Sequence, residues 1–155
     1  MLRMILVSSA VLAFAILPLR AADNGLKTVP SANSAKATLT KLDQTIKARG
    51  MKVFTHIDHA AAAKEFGTSM PPATVVVFGN PKGGTPNFLK QPTLAIDLPL
   101  KMLVWENAEG KVFVSYNSGS YVFGTIFGRH GLKPPPAVAN GQEKMLNGLA
   151  TSAAK

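Results

Sequence analysis

The run "ATVVVFG", Ala73 to Gly79, constrains this chain more than any other stretch. Consecutive β-branched residues bounded by Pro72 and Gly79 resist a helix and predict a strand covered on both faces, in the centre of a sheet. The exit from that strand, "FGNPKGGTP" from Phe78 to Pro86, crowds glycine, proline, Asn and Lys together. The chain must therefore build layers around a sheet and turn sharply where this strand ends.

The flanking sequence supplies the other elements. Leu26 to Val29 predicts a short first strand ended by Pro30. Ala35, Leu39, Leu42 and Ile46 recur at helical spacing, with Asn33 or Ser34 as cap and Gly50 as the left-handed terminator. From Lys52 the period becomes two, with Val53, Thr55 and Ile57 on one side and Phe54, His56 and Asp58 on the other. "DHAAAAKEFG" predicts a short second helix, and Thr85 caps a third that begins at Pro86 and is limited by Pro92. "LPLKMLVWENAEGKVFVSYN" predicts a hairpin around Gly110. "SGSYVFGTIFGRHG" reads as an irregular helix because Gly124 and Gly128 interrupt it, and Met145, Leu146 and Leu149 mark a final helix after Lys133-Pro134-Pro135-Pro136. The fold class expected is α/β in the α+β sense: a single layer of about five mixed strands with helices packed on it, closed by a C-terminal hairpin plus helix.

Met1-Leu2-Arg3, the apolar run Met4 to Leu17 and Ala21-Ala22 have the order of a secretory signal, expected to occupy residues 1–21. The run is shorter than the roughly 20 residues that cross a bilayer. The remaining divisions expected are a domain over 26–132 and a Pro-rich spacer with a helix over 133–155. Export to the periplasm or the medium, with no stable membrane anchor after cleavage, is the expected destination. Cysteine is absent, which excludes disulfides, thiolate ligands and a Cys nucleophile. Lys and Arg number 17 against 8 Asp and Glu, a net charge of +9, and removal of Arg3 and Arg20 with the leader still leaves a basic domain. That charge favours a small anionic ligand or an acidic partner. The lysines are scattered and no basic-aromatic repeat occurs, so nucleic acid is not an expected partner.

Three groups of residues carry possible chemistry. Gly79 and Gly84 have the spacing of a nucleotide phosphate loop, but Thr85 stands where the lysine belongs. What remains is a turn, or a weaker anion site at a helix N-terminus that offers the free N–H groups of Asn87 and Phe88 with Lys82 and Thr85 nearby, joined by Asn80, His59, Lys101 and Asn117. "HIDH" offers His56, Asp58 and His59 to a metal, against the plainer reading in which Asp58 caps the second helix. No metal site and no cofactor are expected, because a closed zinc centre wants four ligands and only His130 adds a further imidazole. A hydrolase would use His59 or His130 as base, Asp58 as orienter and Ser115 or Ser118 as nucleophile, without a Gly-x-Ser-x-Gly elbow to support it. Lys101, Leu103 and Trp105 share one side of their strand, with the lysine expected to reach toward the sheet edge.

The strings "THIDHAAAAKEFG", "VVVFGNPKGGTP", "IDLPLKMLVWENAEGKVFVSYN" and "GRHGL" together resemble domain-of-unknown-function family 302 over about Leu26 to Leu132. The resemblance implies a small α/β domain, commonly a homodimer, with no established activity. The stretch "SGSYVFGTIF" is longer here than in the family's common form. The function expected is an exported, non-catalytic binding or accessory module, with a hydrolase or a metal-handling protein as the alternatives.

Overall fold

Five strands form one sheet in the order β1-β5-β4-β3-β2, and every neighbouring pair is antiparallel. The computed structural model describes residues 24–155, so the leader expected over 1–21 lies outside the described residues. The elements run β1 (Leu26–Ser31), α1 (Ala35–Ala48), β2 (Lys52–Asp58), α2 (His59–Glu65), β3 (Ala73–Gly79) and α3 (Pro81–Lys90). A 3-10 turn (Pro92–Ile96), β4 (Leu100–Glu106), β5 (Val112–Asn117), a π-helical segment (Tyr121–Ile126), α4 (Phe127–Arg129) and α5 (Pro136–Ala154) complete them. The class is α+β with five strands, as expected. The strand directions are not mixed, because each element after β2 returns to the sheet at the end its predecessor left.

One face of the sheet holds the core. Val76, Phe78, Met102, Val104, Val114 and Tyr116 are buried there against Leu42 and Ile46 of α1 and Leu146, Leu149, Ala150 and Ala153 of α5. Each large apolar side chain so buried contributes about 1.5–3 kcal/mol before entropy is counted. The alanines let α5 lie close to the sheet. This helix is part of the main core, although the sequence reading set residues 133–155 apart as spacer and tail. Its apolar stripe is made largely of small residues, which weakens the helical signal.

Local chemistry explains the boundaries. Ser34 caps α1 by accepting the Ala37 N–H, and Gly50 takes φ +71° at its end. Pro30 does not end β1 but sits within it, which an edge strand tolerates. A bulge at Phe54 breaks the expected alternation of β2: Val53 pairs with Phe78 while Thr55 pairs with Val77. β3 is interior to the sheet by pairing on both sides, yet Val75 on its second face stays partly exposed, so the two-sided cover expected of it is not complete. Asn107 closes the hairpin loop by accepting the Glu109 and Lys111 N–H groups.

The π-helical segment answers the irregularity read in "SGSYVFGTIFGRHG". Its side chains Val122, Ile126 and Phe127 form a second small core with Leu94. The chain reaches it from β5 by passing against the backbone of α5. A Cβ on Gly119 would stand 2.5 Å from both the Ala139 carbonyl oxygen and the Glu143 nitrogen, and the Gly119 N–H donates to Glu143 Oε2. Backbone atoms cannot move aside as a side chain can. Gly119→Ala is therefore expected to destabilise the protein by about 1–3 kcal/mol, the usual cost of overpacking, read as a lowered denaturation midpoint; an unchanged midpoint would contradict this packing.

Candidate functional site

Antiparallel pairing gathers the ends of β3 and the starts of α3 and β4 at one end of the sheet. There a cavity of about 670 Å³ opens, within the ~300–1,000 Å³ range of small-molecule sites. Its backbone side is the glycine-rich exit itself, Gly79, Asn80, Gly83 and Gly84, together with Pro99 of the cis Leu98–Pro99 bond. Phe54, Phe88, Leu100 and Phe123 supply apolar surface from four further elements, and Met51 and Met145 add two flexible thioethers. Phe54 and Val138 at its margin are 42% and 37% exposed, so apolar surface faces the opening.

Polar groups are few. Asn87 and Gln142 contribute amides, and Arg49, the residue that closes α1, contributes the one cationic side chain among the described residues of the lining. Among the described residues no carboxylate lines the cavity. Arg49 has no ion-pair partner among the described residues. Its guanidinium lies against Gly148 of α5, where a Cβ would come within 2.8 Å of Nη2. A helical glycine thus makes room for a cation at the cavity.

The helix start differs from the sequence expectation in a way that matters for anions. α3 begins at Pro81, not Pro86, so Asn87 and Phe88 lie inside it with their N–H groups turned toward the preceding helical turn. Asn80 is the cap: its Oδ1 accepts the Gly83 N–H at 3.3 Å, and its backbone oxygen accepts from Gly83 and Gly84. Thr85 donates its hydroxyl to the Pro81 carbonyl. Those amides are already engaged by the protein.

The predicted site residues are only partly brought together. Asn80, Lys82, Thr85, Lys101 and Asn117 all lie toward the same end of the sheet, but only Asn80 lines the cavity. His59 begins α2 at the opposite end, a strand length of seven residues away, roughly 23 Å at ~3.3 Å per residue. Lys101 turns its ammonium to the Asp97 and Pro99 carbonyls at 2.7 and 3.1 Å. The "HIDH" group disperses: His56 Nε2 meets Asp43 at 3.0 Å, while Asp58 caps α2 through the Ala61 N–H. Among the described residues no group of three metal-competent side chains converges.

The hydrolase constellation also disperses. Ser115 accepts the Trp105 indole N–H and meets Thr28, and Ser118 meets Ser120. His130 instead sits between two residues absent from that reading, with Nε2 at 2.6 Å from Asp97 Oδ2 and Nδ1 at 2.9 Å from Thr93 Oγ1. The ionised carboxylate only accepts, so Nε2 carries a proton. The order hydroxyl, imidazole, carboxylate resembles a nucleophile relay, yet none of the three lines the cavity. Its evident work is to fasten the 3-10 turn to the end of α4. The His130 hydrogen bond lowers the Asp97 carboxyl below its ordinary range; desolvation opposes this, and the Arg129, His130 and Lys101 charges add to it. A carboxylate depressed in the folded state contributes stability above its unfolded value, and that contribution disappears as pH falls through the folded one. The melting temperature should therefore drop in acid below about pH 4, and Asp97→Asn should lower it at neutral pH and flatten that acid limb. An Asp97→Asn acid limb as steep as wild type would contradict the clamp.

Comparison with known proteins follows the same lines. The model of DUF302, "Domain of unknown function DUF302", matches residues 27–152. A crystal structure of an uncharacterized conserved DUF302 protein from Bacillus stearothermophilus superposes with a TM-score of 0.69 at 18% identity, covering 84% of this chain and 98% of that one. Curated relatives include the "Fluoride-specific ion channel FluC 1" of Brucella suis biovar 1 (strain 1330), 40% identical over 100 residues, which are 64% of this chain and 39% of the relative. The "Fluoride-specific ion channel FluC 2" of Brucella melitensis biotype 1 matches equally over 37% of its length. The matched stretch thus spans less than two-fifths of the curated relatives.

Proposed function

This chain belongs to the DUF302 family, and from that premise we propose that it is an exported, non-catalytic binding or accessory module whose sheet-end cavity receives a small anionic molecule. The observation that carries this reading is a cavity that, among the described residues, has no carboxylate in its lining and holds a guanidinium without an ion-pair partner. Arg49 is an exposed residue, and its cation beside a partly apolar wall draws negative charge toward the cavity. The anion site moves from the α3 amides, which Asn80 occupies, to Arg49 at the far end of α1. A thermal-shift screen of carboxylated and phosphorylated metabolites with parallel product detection tests it: stabilisation without turnover is expected, and turnover lost in His130→Ala would favour a hydrolase.

The accessory part rests on the Brucella relatives. Among the described residues of this chain no helix is long and apolar enough to cross a membrane. Those relatives are named fluoride-specific ion channels and the match takes up 39% and 37% of their length, so we infer that a channel portion lies outside the matched stretch and is joined to it in one chain. Two functions fused in one protein are held at high effective concentration, an arrangement that suits partners. The expected result is that adding this protein to vesicles holding a fluoride channel changes the rate of fluoride release; an unchanged rate with no co-purification would remove the accessory reading.

The second face of the sheet supports a homodimer. α1 and α5 cover only the other face, which leaves Leu103, Trp105, Phe113 and Val75 partly exposed and Ile57 and Leu26 well exposed. Its internal polar atoms are already paired in the chain Trp105, Ser115, Thr28, at 2.9 and 2.8 Å, so drying the face strands no donor there. Among the described strand positions of that face charge is confined to Lys52 and Lys101, both at its Gly79 end, and the apolar remainder suits a copy of itself. Five strands at ~4.8 Å spacing and about 20 Å long project on the order of 500 Å², and standing side chains bring the accessible area toward the ~800 Å² per partner of a standard interface. Light scattering should give twice the monomer mass, reduced to one by Leu103→Glu; a monomeric wild type would overturn the dimer.

A further inference from the structure

The lining of the sheet-end cavity narrows the class of ligand, an inference that rests on the binding role proposed above. We infer that the ligand is an amphipathic carboxylate, with an apolar chain or ring among Phe88, Phe123, Leu100 and the two methionines and its carboxylate on Arg49. Three features select this class. Away from Arg49 and the few amides, the wall is made of Phe54, Phe88, Leu100, Phe123, Met51 and Met145, which offer an inorganic anion nothing to replace its hydration shell and offer an apolar chain or ring a surface to cover. An ion alone also leaves the ~670 Å³ volume largely unfilled.

The charge of the lining is the second feature. Among the described residues Arg49 is the single cation there, Lys82 does not line the cavity, and the first α3 amides are held by Asn80. One guanidinium balances one negative charge, and its planar fork matches the two oxygens of a carboxylate. A phosphate dianion would be left with charge in apolar surroundings.

The third feature is Gly148. Glycine inside a helix weakens it, and here the space it leaves is filled by the Arg49 guanidinium. Gly148 therefore acts as a positioning residue for the cation. A Cβ at that position meets only the far end of a flexible side chain, so Gly148→Ala displaces the guanidinium without disturbing the backbone packing.

The test uses the purified full chain, with decanoate, 4-phenylbutanoate, decanol, inorganic phosphate and fluoride as probes, binding read by calorimetry and folding by melting temperature. Decanoate or 4-phenylbutanoate should bind, the stronger of the two telling a chain from a ring. Arg49→Gln should weaken the carboxylate by about tenfold to a hundredfold and leave decanol unchanged. Arg49→Lys should restore part of the loss. Gly148→Ala should weaken the carboxylate while keeping or raising the melting temperature. Carboxylate binding indifferent to both Arg49→Gln and Gly148→Ala would overturn the inference. Binding of phosphate or fluoride but of neither carboxylate would overturn the ligand class and leave the small-anion role standing. Binding of none of the probes would overturn both.

Discussion

Burial of a single sheet face under α1 and α5 is the constraint on which the rest of this structure depends. Two helices that pack on each other and on five strands leave no third layer for the opposite face, and they fix where the end of α1 meets the middle of α5. That meeting point is Arg49 against Gly148. The same packing brings Met51, Val138 and Met145 to the sheet end where β3 leaves through its glycines. A cavity bounded by so many elements is therefore a consequence of the helix layer, and the turn alone does not make it.

The strands and the long helices were legible in the sequence because their signals are local. β-branched Val75 to Val77, the period of Leu39, Leu42 and Ile46, and the Asn107 to Gly110 turn each state their conformation within a few residues. The errors fall where tertiary contact or a cap decides. Pro30 lies within β1 because its strand is an edge. The bulge at Phe54 shifts one residue of alternation, which no periodicity announces. Asn80 starts α3 five residues earlier than Pro86 suggested, and Pro86 is carried inside the helix at the loss of one backbone hydrogen bond. In α5 the buried positions include Ala150 and Ala153, whose small size is the reason for close packing and also the reason a hydrophobic pattern underrates it.

The candidate site was legible only at its glycine-rich edge. "FGNPKGG" marks a sharp turn at a strand exit with the glycine spacing of a phosphate loop, and Asn80, Gly83 and Gly84 do line the cavity. In the sequence Arg49 merely precedes the helix-ending Gly50, and Gly148 falls inside a helix of weak apolar signal. Neither carries a motif; their pairing across about a hundred residues of chain exists only in the folded state. The histidines mislead in the opposite direction, since sequence proximity groups His56 with His59, while His56 meets Asp43 of α1 and His59 begins α2. Asp97, the partner that explains His130, stands 33 residues away.

The claim that negative charge is received at the end of the sheet bearing these glycines is tested most directly by residue-resolved nuclear magnetic resonance during a decanoate titration. The account predicts shifts in the Met51 and Met145 methyls, the Gly79, Gly83 and Gly84 amides and the Arg49 guanidinium, with His59 and the Trp105 face silent. Shifts centred on His59 or on the open sheet face, with those methyls unmoved, would contradict it.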